Sequence, residues 1–88
     1  MRFLSAGMLH ERLLSDDPYA REAGKHYVLG VLDTLALRRD PRVCLGPELE
    51  ANEIVIVVMR HLAARPDMHR YNAASFVREA IATEYPCV

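Results

Sequence analysis

Tyr27-Val28-Leu29-Gly30-Val31-Leu32-Asp33 is the stretch whose reading decides the fold. It lies within a longer apolar segment from Ala20 to Leu37. Tyr27, Val28, Val31 and Leu35 recur at helical spacing, while Leu29, Leu32 and Ala36 fill a second face. A helix apolar on most sides is a buried helix on which others pack, so this segment is expected at the centre of an all-helical domain. Gly30 costs such a helix about 0.5–1 kcal/mol relative to alanine, and its position points to another helix approaching closely there. Asp33 is the one acid embedded in the apolar stretch. Burying a carboxylate is costly unless it is paired, so Asp33 reads as a structural anchor that accepts hydrogen bonds.

Outward from this segment, caps and breakers set the limits. Asp17 is placed to cap and Pro18 suits a first helical position, so the segment extends as a helix from Pro18 to about Arg38. Before it, Ser5 is a good N-cap for a first helix running to about Leu14, with Leu9 and Leu13, joined by Met8 or Leu14, as its apolar stripe. Two prolines and a glycine make Arg39 to Pro47 a loop. Arg38, Arg39 and Arg42 at its start are read as serving the carbonyl end of the second helix. A third helix is expected from near Glu50 to just before Pro66. Its β-branched run Ile54–Val58 resembles a strand, but the apolar pattern continues to Leu62 and favours helix. A short connector, Pro66-Asp67-Met68-His69-Arg70-Tyr71, leads to a fourth helix capped by Asn72 and stopped by Pro86 after about Glu84. The result is one all-α domain over residues 1–88, four helices around one core.

Composition removes several functions. Eleven basic against twelve acidic side chains give a net charge of −1, without the basic excess of a nucleic-acid binder. No apolar run approaches the roughly 18 residues of a membrane span. After Met1-Arg2-Phe3-Leu4 no apolar run of signal-peptide length follows, so the chain reads either as cytosolic or as a mature domain. Cys44 and Cys87 form no CxxC pair, which argues against a metal site. A bridge between them is worth about 4 kcal/mol in the chain-entropy model; spacing alone leaves pairing and free thiols open.

Groups for chemistry are sparse. None of His10, His26, His61 and His69 shows metal-ligand spacing such as HExxH. His10, His26 and His61 read as surface residues, and His69, in the connector, as a possible partner contact. Cys44 has no local base to activate it. Gly24 and Gly30 fall inside a helix, so no glycine-rich phosphate loop exists. Neither an enzyme nor a cofactor is expected.

Taken in order, Tyr27 to Asp33, then Cys44-Leu45-Gly46-Pro47, then Val77-Arg78-Glu79-Ala80-Ile81-Ala82-Thr83-Glu84-Tyr85-Pro86-Cys87 resemble the Rap/Tai immunity-protein family. Phe3-Leu4-Ser5-Ala6-Gly7 and the Ser15–Pro18 turn are similar to the family's start, so the resemblance covers nearly the whole chain. It implies an all-helical periplasmic protein, its leader removed, that acts as a homodimer. The implied function is to occlude the cysteine-histidine active site of a peptidoglycan amidase delivered by type VI secretion. The resemblance also implies a Cys44–Cys87 disulfide and makes Tyr27, Gly30 and Asp33 scaffold residues.

Many family members carry a second cysteine pair, at places matching Leu13 or Leu14 and Gly24. Without it the first helix is expected to be the least firmly held element, or one donated to a partner subunit. Exposure and composition then direct partner binding to two loops. Met68, Arg70 and Tyr71 are residue types enriched at interfaces, so Asp67, Met68, His69, Arg70 and Tyr71 form the first candidate set. Arg39 and Arg42 form the second. The alternative reading is a small periplasmic helical stress chaperone of the acid-activated type, with histidines as protonation switches.

Overall fold

The structure is a computed structural model that describes residues 3–87. It contains α1 (Ala6–Leu14), α2 (Pro18–Arg38), α3 (Ala51–Ala64), a 3-10 turn (Pro66–Met68) and α4 (Ala73–Glu84). The four expected helices are present, with ends within a residue of those the caps indicate. Ser5, Asp17 and Asn72 each accept a backbone N–H of the helix they precede, which satisfies donors that have no partner within the helix. The run Ile54–Val58 is helical: Ile54, Val55, Val57 and Val58 are buried, and Ile56 is exposed.

The core differs from expectation in what stands at its centre. On α2 only Gly24, Val28 and Leu35 are buried. On α4 the buried residues are Ala73, Phe76, Val77, Ala80, Ile81 and Ala82. Length explains the exchange. A helix of 21 residues is about 32 Å long, close to the 35 Å longest extent of the molecule. Three shorter helices cover one side of it and leave the other to solvent. The central helix is α4, and α2 is a flank.

Two residues change meaning with it. A Cβ added at Gly30 would meet nothing within 4 Å among the described residues, so none of the described helices approaches closely there. Asp33 is exposed and forms no ion pair among the described residues; it is not a buried anchor. The close approach occurs instead at Gly24, where a Cβ would lie 3.0 Å from Leu13 Cδ2 and 3.3 Å from Leu13 N.

Nor is α1 loosely attached. Ala6 and Leu9 are fully buried and Leu13 is 5% exposed. The N–H groups of Ala6 and Gly7 donate to the carbonyls of Tyr71 (2.8 Å) and His69 (2.7 Å), and Ala73 N donates to Leu4 O (2.8 Å). The connector thus caps the start of α1, and the residues before α1 cap the start of α4. An element held by its own chain in this way has no need of a partner subunit to receive it.

The far end of α4 is tied as well. Cys44 and Cys87 form a disulfide, and Cys44 N donates to Tyr85 O at 2.9 Å. Among the described residues no helix is long and apolar enough to cross a membrane.

Candidate functional site

The connector is wound tightly, with Met68 N, His69 N and Tyr71 N donating to the carbonyls of Arg65, Pro66 and Met68. That winding fixes where its side chains point. Met68 is half-buried and Tyr71 is 54% exposed. Both line a groove of about 360 Å³ between α3 and α4, whose wall continues through Phe76 and Ala80. Phe76 and Ala80 lie four residues apart on α4, one turn above the other.

The charges around this groove are paired. His61 Nε2 lies 3.0 Å from Glu84 Oε1, and Arg65 makes two hydrogen bonds to Asp67, at 3.2 and 3.1 Å. Arg42 grips Glu79 with both terminal nitrogens, at 2.9 and 2.7 Å. The hydrogen bonds from Arg65 hold the Asp67 carboxyl below its ordinary value, and those from Arg42 do the same for Glu79. An apolar floor inside a rim of satisfied charges suits an apolar or aromatic side chain of a partner, since seating one leaves no new unpaired charge behind. Among the described residues no cluster of three metal-ligating side chains occurs.

The candidate residues are distributed unevenly over this surface. Met68 and Tyr71 meet in the groove, Asp67 stands on its rim through Arg65, and Arg70 is exposed beyond its lining. Arg42 reaches the rim through Glu79 rather than serving the carbonyl end of α2. Arg39 lies apart, beside Leu35, Val43 and Leu45. Its backbone, at φ 51°, closes α2 in the left-handed conformation by donating to Ala36 O. Tyr27 is half-buried against the core; burial raises its hydroxyl pKa, and a hydrogen bond from the Ala74 backbone opposes the rise.

His69 is half-buried and stands apart from the groove lining. Its ring turns inward, where Nε2 donates to Leu62 O at 2.7 Å, and it meets the His10 ring edge-on at a centroid distance of 5.1 Å. With its carbonyl capping α1, His69 joins three elements and is not part of the groove lining. His10 is accordingly half-buried rather than solvated, and burial, reinforced by the neighbouring His69, lowers its pKa.

A sequence profile of the Rap1a immunity proteins matches residues 5–87. The chain belongs to the Rap1a immunity protein family. No curated protein matches it. The matched span begins at the cap of α1 and ends at the bridged Cys87, so the whole helical frame of this Rap1a family member is included. Family membership implies an immunity protein that binds an effector.

Groove residues that sequence reasoning did not single out are His61, Arg65, Ser75, Phe76, Glu79, Ala80 and Thr83. One local signal exists for part of them: Phe76, Glu79, Ala80 and Thr83 recur at helical spacing along one edge of α4. The pairing of Glu79 with Arg42, 37 residues earlier, has no local signal.

Proposed function

We propose that this protein is a periplasmic immunity protein that binds a type VI secretion peptidoglycan amidase and covers its cysteine-histidine active site. The family match over residues 5–87 carries this reading, because it joins a helical frame without evident catalytic groups to the neutralisation of effectors. The groove at Met68, Tyr71 and Phe76 supplies the contact surface, with a partly exposed aromatic at the edge of an apolar floor. Such aromatic anchors carry much of the affinity of protein interfaces. The Cys44–Cys87 bridge supports an oxidising compartment such as the periplasm.

In this reading the protein acts as a homodimer. Support comes from the outward face of α2, where Tyr19 and Leu37 are 86% and 84% exposed and Gly30 is open. Sedimentation of the parent chain and of a Leu37→Glu variant tests the self-association. The test of function is inhibition of peptidoglycan hydrolysis across a panel of amidase effectors. One member should co-purify with the chain and lose activity on binding; a panel in which none binds would refute the reading.

A further inference from the structure

On the opposite side of α4 from the groove, a cleft of about 300 Å³ opens against α2. Val31, Leu35 and Ala74 give it an apolar floor, and Arg38 and Arg78 stand at its mouth with Ser75. Arg38 forms no ion pair among the described residues. Arg78 gives only its Nε, which donates to Asp40 Oδ2 at 2.9 Å. Its two terminal nitrogens make no hydrogen bond to a described side chain.

The acid already present, Asp40, is fully used. Its other oxygen accepts from Arg42 N at 2.9 Å, and its side chain is 7% exposed. The charged residues that line the cleft are Arg38, Arg78 and Asp40, two guanidiniums against one carboxylate, on a chain whose net charge is −1. The positive excess is local, and it adjoins a walled cleft.

We propose that this cleft seats an aspartate or glutamate side chain of the effector, clasped between Arg38 and Arg78. The proposal rests on the effector-binding reading above and adds the chemistry of the group recognised. A guanidinium is the cation best shaped for a carboxylate, which it holds with two parallel hydrogen bonds. Ser75 offers a further hydroxyl to the same oxygens, and the apolar floor packs against the acid's methylene groups. Ser75 also lines the groove, so one partner surface lying across α4 fills both depressions, an apolar side chain on one side and an acid on the other.

Two measurements test this. In the first, the amidase that co-purifies with the chain is bound to Arg38→Glu, with Arg60→Glu on α3 as control. Arg38→Glu should bind tenfold to a hundredfold more weakly and with a shallower salt dependence, and Arg60→Glu should match the parent. A lysine in place of one effector acid should restore binding to Arg38→Glu alone. Equal affinity of Arg38→Glu and parent would overturn the proposal, as would a variant altered only in self-association. In the second, the full ¹⁵N-labelled chain is titrated with N-acetyl-aspartate N-methylamide and with its asparagine counterpart. Shifts at Arg38, Arg78 and Ser75 with the aspartyl compound alone are expected; equal shifts with both compounds, or shifts spread over all arginines, would overturn it. Should no amidase bind while the aspartyl compound still moves these signals, the occlusion reading fails and the carboxylate cleft stands.

Discussion

Gly24 lies directly on Leu13: a Cβ at position 24 would stand 3.1 Å from Leu13 Cγ. The distance has a chemical meaning. In a disulfide each Cβ is about 3 Å from the far sulfur, and a cysteine sulfur at position 13 would occupy the place of that Cγ. The contact sits where family members are expected to carry their second bridge. Leu13→Cys with Gly24→Cys should therefore oxidise spontaneously, the bridged form of the variant being more stable than its reduced form by about 3 kcal/mol, the value for a loop of this length. Urea denaturation with and without reductant measures it. Gly24→Ala alone should destabilise, because the new methyl meets Leu13 N at 3.3 Å, and backbone yields less readily than a side chain.

Gly30 and Asp33 invite the opposite expectation. No described residue outside its own turn of helix lies within 4 Å of a Cβ at Gly30, so Gly30→Ala should stabilise the folded chain by about 0.5–1 kcal/mol. Asp33 is exposed, and Asp33→Ala should change stability by less than about 0.5 kcal/mol. Thermal melts of both variants check this. An Asp33→Ala protein with a melting point many degrees lower would show that the carboxylate has a partner after all.

This pair marks the limit of what the sequence makes legible. Caps and prolines act within a few residues, so Ser5, Asp17, Pro18, Asn72 and Pro86 are enough to place the helix ends. Periodicity reports which residues share a face of α2, but not which face the other helices reach. The apolar content of α2 exceeds what three shorter neighbours can cover, and Leu37 and Tyr19 stay outside. Contacts between distant positions leave no local trace either. Arg42 with Glu79 and Arg78 with Asp40 join residues 37 and 38 apart, and these pairs decide which arginines are committed and which are free.

The Cys44–Cys87 bridge closes a loop with a sequence separation of 43. Replacing both cysteines by serine should cost about 4 kcal/mol in the chain-entropy model, a large part of the stability of a domain this small. Denaturant titration measures the loss. The Arg42–Glu79 and Arg78–Asp40 pairs hold the same loop to α4, so the double variant should retain its helical far-ultraviolet signal.

His10 should make stability fall with acid. Burial, and then the neighbouring His69, lower its pKa from 6.5 in the folded chain. The unfolded chain therefore takes up a proton first as pH drops. The stabilisation held by neutral His10 is full above 6.5 and is lost as pH falls through the depressed folded value. Denaturation midpoints at pH 7.5, 6.0 and 5.0 should decline, and the decline should be smaller in His10→Leu, which has nothing there to protonate. Parallel curves for parent and variant would assign the acid sensitivity to another group.

Tyr71 and His69 stand two residues apart and should separate binding from stability. The Tyr71 ring is 54% exposed at the groove, and what Tyr71 gives the fold is its carbonyl, which accepts from Ala6 N. Tyr71→Ala keeps that carbonyl, so the melting point should stay near the parent's while affinity for the effector falls by about 2 kcal/mol or more. His69→Ala removes a ring that donates to Leu62 O at 2.7 Å. A carbonyl left without its donor in a part-buried site costs about 1–3 kcal/mol. Binding by this variant should weaken only as far as its folded fraction drops. Measured together by calorimetry and thermal melts, the two variants should give opposite patterns. If His69→Ala stays stable and loses binding while Tyr71→Ala does the reverse, the partner meets the connector from the α1 side, and the groove between α3 and α4 is not its seat.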